Sequence, residues 1–222
     1  MWIPKFLYRP LYDEKHRAIE AKLVPRGFKY LRKGYREPLL CKDCEGIISR
    51  FETYFATAWY EQGKCPNKVR DNVVQVTGLD YTLFRLFHLS VLWRASVSKR
   101  EEFSGVQLGL HEERIRRMIL AGDPGKPNQY PLFVNFLVTP DTREVQQQII
   151  MQPGAIRVEG HRVYLFCFGG CAWYYLVSSH ASPSYFSYAP SLDGVLTAAV
   201  QDWTDFRPVR AFAKKYRTSS VS

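Results

Sequence analysis

The pair Cys41 and Cys44, in the run Pro38-Leu39-Leu40-Cys41-Lys42-Asp43-Cys44-Glu45, is the strongest chemical signal in this chain. Two thiols three positions apart, just ahead of a helical pattern, can present their sulfurs to one zinc ion, and helix N-terminal amides stabilise the thiolate charge. A structural zinc takes four ligands. The nearest further cysteine, Cys65, has no partner spacing and reads as a free thiol. His16 could contribute, although nothing in its spacing demands it. Cys167 and Cys171 flank Gly169-Gly170 in a strand–turn–strand pattern and read as small buried apolar residues. A CxxC pair can also do redox chemistry, but thioredoxin-like sites follow a strand within a βαβ pattern, which the residues around Cys41 do not match.

Other groups are weaker. Glu45 and Glu52 are seven apart, two helical turns, so a paired-carboxylate site is conceivable. The favoured reading is a solvated helix face. The histidines are scattered. His88 falls within an apolar helix and reads as a hydrogen-bonded core residue, His111 lies near a helix start, His161 at a hairpin turn, and His180 in a Ser-rich loop. There is no Gly-x-Ser-x-Gly elbow and no phosphate-binding Gly-rich loop.

The chain has 222 residues and a net charge of +10, which points to a polyanionic partner such as nucleic acid or an anionic surface. The charge is densest over residues 13–37, where Lys15, Arg17, Lys22, Arg26, Lys29, Arg32, Lys33 and Arg36 alternate with Phe28, Tyr30 and Tyr35. Either a solvated loop or hairpin, or a nucleic-acid surface, accounts for this stretch. Hydrophobic residues at 46% and aromatics at 15% supply a packed core. No apolar window is long enough to cross a bilayer, and Met1-Trp2-Ile3-Pro4-Lys5-Phe6 does not read as a secretory signal. Five cysteines without framework spacing suggest a reducing cytoplasm rather than a disulfide scaffold.

The elements that must position these groups follow from periodicity. Residues 3–12 read as a short helix or an extended arm. Ile47, Ile48, Phe51, Tyr54, Phe55 and Ala58 form one face of an amphipathic helix, ended by Gly63 and Pro66. Residues 73–77 read as a short strand. A helix from about Asp80 is apolar on most sides and should lie centrally. Residues 98–106 read as a loop. Residues 110–121 read as a third helix, with Arg114, Arg116 and Arg117 outward and within reach of Glu112 and Glu113. Beyond the turn-rich residues 123–128, the segments 132–138, 148–151, 156–159, 162–168 and 172–177 read as strands. Residues 207–217 read as a basic terminal helix with Pro208 in its first turn.

The residues around the CxxC pair resemble the second zinc knuckle and following helix of HNH endonucleases, a treble-clef family. Ile3-Pro4, the aromatic stretch Lys5-Phe6-Leu7-Tyr8, Leu39-Leu40-Cys41-Lys42-Asp43-Cys44-Glu45 and Phe51-Glu52-Thr53-Tyr54-Phe55 carry the resemblance, over roughly residues 1–60. It implies zinc at Cys41 and Cys44, a single divalent metal such as Mg²⁺ or Mn²⁺ if the chain is a nuclease, and a setting in bacterial or phage defence and counter-defence. The sequence departs from the family pattern where chemistry is done. No first CxxC precedes Ile3-Pro4, the general-base histidine would fall at Trp2, and the histidine after the second knuckle is Glu45. Glu45 can still ligate a metal, but Trp2 cannot act as a base. Either the natural start lies upstream of Met1, or the chain is a degenerate member that keeps the fold.

The expectation is therefore an α+β protein with a treble-clef remnant at 1–64, central helices, and a mostly antiparallel sheet in the C-terminal half. Residues 65–222 have no assigned role and either stand apart or form one compact domain with the first part. The first function expected is binding of DNA or RNA through Lys22, Arg26, Lys29, Arg32, Lys33 and Arg36, helped by the tail residues Arg210, Lys214, Lys215 and Arg217, with catalysis impaired. The alternatives are a metal-dependent nuclease that uses Glu45 within an assembly or with a longer N-terminus, and an interaction module for an acidic protein partner.

Overall fold

The computed structural model describes residues 4–12, 14–15, 18–23, 26–31, 37–178 and 189–207; for 18–31 it describes the backbone only. A 3₁₀ segment, Lys5–Leu11, comes first, followed by an antiparallel hairpin of β1 (Ala18–Leu23) and β2 (Arg26–Leu31). Helix α1 (Lys42–Ala56) runs on through a π turn at Thr57–Glu61. Strand β3 (Val73–Val76), helix α2 (Tyr81–Val97), a 3₁₀ turn at Glu101–Phe103 and helix α3 (Leu110–Ala121) complete the first half. The strands β4 (Leu132–Val138), β5 (Met151–Val158), β6 (His161–Phe168), β7 (Cys171–Val177) and β8 (Leu196–Asp202) follow. The protein is α+β.

One sheet of six strands holds the order β3-β8-β4-β7-β6-β5. Every pairing is antiparallel except β4 with β8. The hairpin β1–β2 stands outside it as a sheet of its own. The β6–β7 turn depends on Gly169 and Gly170, at φ 60° and 78°, because a two-residue hairpin turn of this kind needs left-handed backbone at both positions. A Cβ on Gly170 would lie 2.3 Å from Val145 Cγ1, so the position excludes side chains on space as well.

The strand alternation sorts side chains to two faces. Leu132, Val134, Phe136 and Val138 of β4, Tyr164, Phe166 and Phe168 of β6, and Trp173, Tyr175 and Val177 of β7 enter the main cluster beneath the helices. Leu137, Leu165, Cys167 and Ala172 point the other way and cluster with Phe206. Both faces are apolar, which explains the near-continuous hydrophobic runs of these strands.

Helix α2 lies at the centre and is buried almost all round. Asp80 caps its start, its carboxylate accepting a hydrogen bond from the Leu83 N–H at 2.9 Å. Helix α1 contributes Ile48, Phe51 and Phe55 at three- and four-residue spacing. Phe55 stacks on Phe87 with centroids 3.9 Å apart, and Trp59 donates to Gly169 O at 2.9 Å. Leu7 and Tyr8 from the first 3₁₀ segment enter the same cluster as Trp173, so residues on both sides of position 64 share one core.

Three features differ from the sequence reading. The segments 148–151 and 156–159 are replaced by one strand, β5, with a register shift between Met151 and Gly154. The 98–106 stretch contains a 3₁₀ turn. Strand β8 has no counterpart in the reading, because its Ala198 and Ala199 are poor strand formers and only pairing with β3 and β4 stabilises it. The basic terminal helix expected at 207–217 lies outside the described residues apart from Arg207.

Candidate functional site

Helix α1 presents the two thiols at its open end. Cys41 is the N-cap residue, with extended backbone (φ −74°, ψ 166°), and it is exposed; Cys44 lies in the first turn and is half-buried. The Cys41 thiol is held below the ordinary thiol range, first by the backbone N–H of Cys44 and then by the Cys44 thiol. Cys44 moves the opposite way, because its hydrogen bond to Cys41 favours its protonated form. Helix N-termini leave free N–H groups that stabilise thiolate charge, so the thiolate form is favoured at Cys41 over Cys44. Asp43 and Glu45 occupy the same first turn, where negative charge complements the helix dipole.

Helix α3 packs beside this turn. Leu39, Leu40, Cys41, Cys44, Trp93 and Arg116 line a small cleft of 90 Å³. Arg116 is held by Glu113, with Nε donating to Oε2 at 2.6 Å, and Arg117 donates to the other oxygen of Glu113 at 2.9 Å. Glu113 is pulled down to about 2 by these two guanidinium groups. Glu112 does not join that network; it accepts from the Ser96 hydroxyl at 2.5 Å. The sequence reading placed Arg116 outward without linking it to the cysteines. No local pattern connects them, since the link is the packing of α3 against α1.

The donor set bears on zinc. Among the described residues no group of three or more His, Cys, Asp or Glu side chains gathers around a common point. Cys41 and Cys44 alone supply half of what a structural zinc takes, so the described donors do not fit a closed zinc site. Glu45 is exposed on the first turn.

Glu52, weighed above as one of two carboxylates on a solvated face, is instead a half-buried ion-pair partner of a buried arginine. It accepts from Arg94 Nη1 at 2.5 Å, and the Arg94 side chain is 3% exposed. Arg94 also donates through Nε to Ser90 O at 3.1 Å. A seven-residue spacing on α1 carried no hint of the partner, which comes from α2.

His88 is a core residue, as its place in an apolar helix suggested. Its Nδ1 and the Tyr175 hydroxyl share a hydrogen bond of 2.7 Å, while Nε2 has no hydrogen-bond partner among the described residues. Phe84 and Trp173 enclose the ring at 4.6 and 4.3 Å between centroids. Burial, and then the nearby Arg85 charge, push its pKa well below the usual imidazole value. Arg85 is itself fully buried and donates to Tyr130 O at 2.9 Å and Gln129 O at 2.6 Å. Among the described residues no carboxylate pairs with it, so backbone carbonyls carry its charge. Cys65, Cys167 and Cys171 are free and buried, and burial pushes the Cys65 thiol up to about 12.

The basic segment is described through its backbone. The register sets Glu20 opposite Lys29, Lys22 opposite Gly27 and Leu23 opposite Arg26. Arg32, Lys33, Arg36, Arg210, Lys214, Lys215 and Arg217 lie outside the described residues, as do Trp2, His16 and His180. The segment is tied down at its end by Glu37, which accepts from the Ser98 hydroxyl at 2.5 Å and the Lys99 N–H at 3.0 Å. Among the described residues no helix is long and apolar enough to cross a membrane. No family model, no curated protein and no solved structure matches this chain.

Proposed function

We propose that the protein binds the phosphate backbone of DNA or RNA through its basic N-terminal ribbon, as a degenerate relative of HNH-type proteins that lacks their general base. One observation carries the reading. The most basic stretch of a chain with net charge +10 includes a two-stranded antiparallel ribbon that stands apart from the main sheet. A ribbon of two strands is narrow enough to enter a nucleic-acid groove, and Lys22, Arg26 and Lys29 lie on it. The cysteine pair opening α1 supports the kinship on which the HNH-like part rests. That part does not depend on bound zinc.

The test is binding of the purified chain to labelled single- and double-stranded DNA and RNA across a salt series. Neutralised phosphates release counterions, so the logarithm of the affinity should fall linearly with the logarithm of the salt concentration. Each of Lys22→Ala, Arg26→Ala and Lys29→Ala should lower that slope by about one unit. Affinity indifferent to salt sinks the proposal. Product size is checked in the same samples with Mg²⁺ or Mn²⁺. Cleavage that Glu45→Ala abolishes would replace binding alone with metal-dependent phosphodiester hydrolysis. Neither binding nor cleavage would assign the charge to an acidic protein partner.

A further inference from the structure

Phosphate binding by the basic ribbon leaves the two thiols of α1 without a task, and the described donors around them fall short of a zinc site. Their arrangement is that of an exchanging dithiol. Cys41 is the N-cap and Cys44 follows three positions on, while the Cys41 carbonyl accepts the Glu45 N–H at 2.9 Å and closes the first turn. Cα atoms three apart on a helix are about 5 Å apart. A disulfide spans about 4.4–6.8 Å between Cα atoms, so the bond can close across this turn with the backbone in place. The two thiols are in contact before any such bond forms, since they are hydrogen-bonded to each other.

The pair is asymmetric. Cys41 is exposed, so an incoming disulfide reaches it first, whereas Cys44 is half-buried. Leu39, Leu40, Trp93 and Arg116 join them in lining a cleft of 90 Å³, room for the short stem of a small thiol compound. The indole N–H of Trp93 is buried and has no acceptor among the described residues. A buried donor without an acceptor is unusual, and a carbonyl or carboxylate on a bound thiol compound would satisfy it. Cys65, Cys167 and Cys171 are all buried, so this pair alone is open to a reagent in solution. Exchange depends on access and on contact between sulfurs, and it needs no βαβ unit.

We propose that Cys41 and Cys44 form a thiol–disulfide exchange site that reduces small disulfides of the glutathione type, with Cys41 attacking and Cys44 resolving. Cys41 gives its proton to solvent, and its thiolate attacks one sulfur of the substrate R–S–S–R. A Cys41–S–S–R bond forms, the substrate S–S bond breaks, and RS⁻ leaves with the electron pair. Cys44 passes its proton to that RS⁻ and attacks the Cys41 Sγ, expelling the second RS⁻, which takes a proton from solvent. Two electrons have then passed to the substrate, which ends as two thiols, and Cys41 and Cys44 end as a disulfide. The site stands whether or not the basic ribbon binds nucleic acid.

The test exposes the reduced full chain to glutathione disulfide and follows free thiols, intact mass and the peptide map. Two thiols per chain should be lost, with Cys41 joined to Cys44, while Cys65, Cys167 and Cys171 stay reduced. Cys41→Ser should abolish the loss. Cys44→Ser should stop halfway, with one glutathione held on Cys41; Cys44→Ala carries the same test should the serine variant not fold. A parent chain that keeps both thiols, or one that retains glutathione on Cys41 without closing the bond, would overturn the proposal. So would one equivalent of zinc held by the two sulfurs and shielding them from the reagent, since the pair would then be part of a metal site.

Discussion

The first turn of α1 and the rest of the helix came to opposite surroundings. The first turn carries Cys41, Asp43, Cys44 and Glu45 into solvent or the shallow cleft beside Arg116. The rest of the helix carries Ile48, Phe51 and Phe55 into the core, and its one acid, Glu52, meets a buried guanidinium. A carboxylate in the first turn keeps its water, whereas Glu52 faces a buried guanidinium. The molecule places its stability at one end of this helix and leaves its reactive groups at the other.

The widest contrast should be chemical. At pH 8 a buried thiol at about 12 is almost wholly protonated, whereas the exposed Cys41 is held below the ordinary thiol range. Alkylation followed by peptide mapping should therefore label Cys41 much faster than Cys65. Comparable rates would erase the distinction between the exposed turn and the core.

Next is the ion pair. Glu52→Ala should cost about 1–2 kcal/mol in urea unfolding, because it removes a carboxylate that hydrogen-bonds a buried guanidinium, while Glu45→Ala should leave the unfolding midpoint where it is. Equal effects from the two substitutions would break the comparison.

A smaller effect should follow pH. The folded-state pKa of His88 lies well below that of the unfolded chain, near 6.5, so the unfolded state takes up the proton first. Stability should be flat above about pH 6.5 on this account and fall below it, with a limiting slope of about 1.4 kcal/mol per pH unit from this one group. His111, lowered by burial and then by Arg114, adds to the measured slope, so the specific expectation is that His88→Asn removes its own share. An unchanged slope in that variant would mean that the ring is not held neutral. The smallest effect belongs to the surface pairs of α3: Glu113→Ala should not move the unfolding midpoint, since exposed ion pairs add little.

Much of this fold was legible along the chain. The apolar spacing of Ile48, Phe51 and Phe55 specifies α1, the all-round apolarity of 83–93 specifies a central helix, and Gly169-Gly170 between two hydrophobic runs specifies the β6–β7 hairpin. Of the candidate site, the pairing of Cys41 with Cys44 at a helix start was equally legible, because a three-residue spacing needs no tertiary contact to bring side chains together. The basic character of 13–37 was legible too, as charge density is a property of composition.

What lay beyond reach shares one cause: the deciding partner is distant in sequence. Strand β8 exists because β3 and β4 bracket it, while its own alanines argue against a strand. Arg85 is buried because the carbonyls of Gln129 and Tyr130, more than forty residues on, accept from it. Arg94 meets Glu52 from another helix, and that contact takes Glu52 off a fully solvated face. Local periodicity determines which residues share a face. Only the folded chain decides what that face meets, because the free energy of a buried charge depends on the partner that replaces its water.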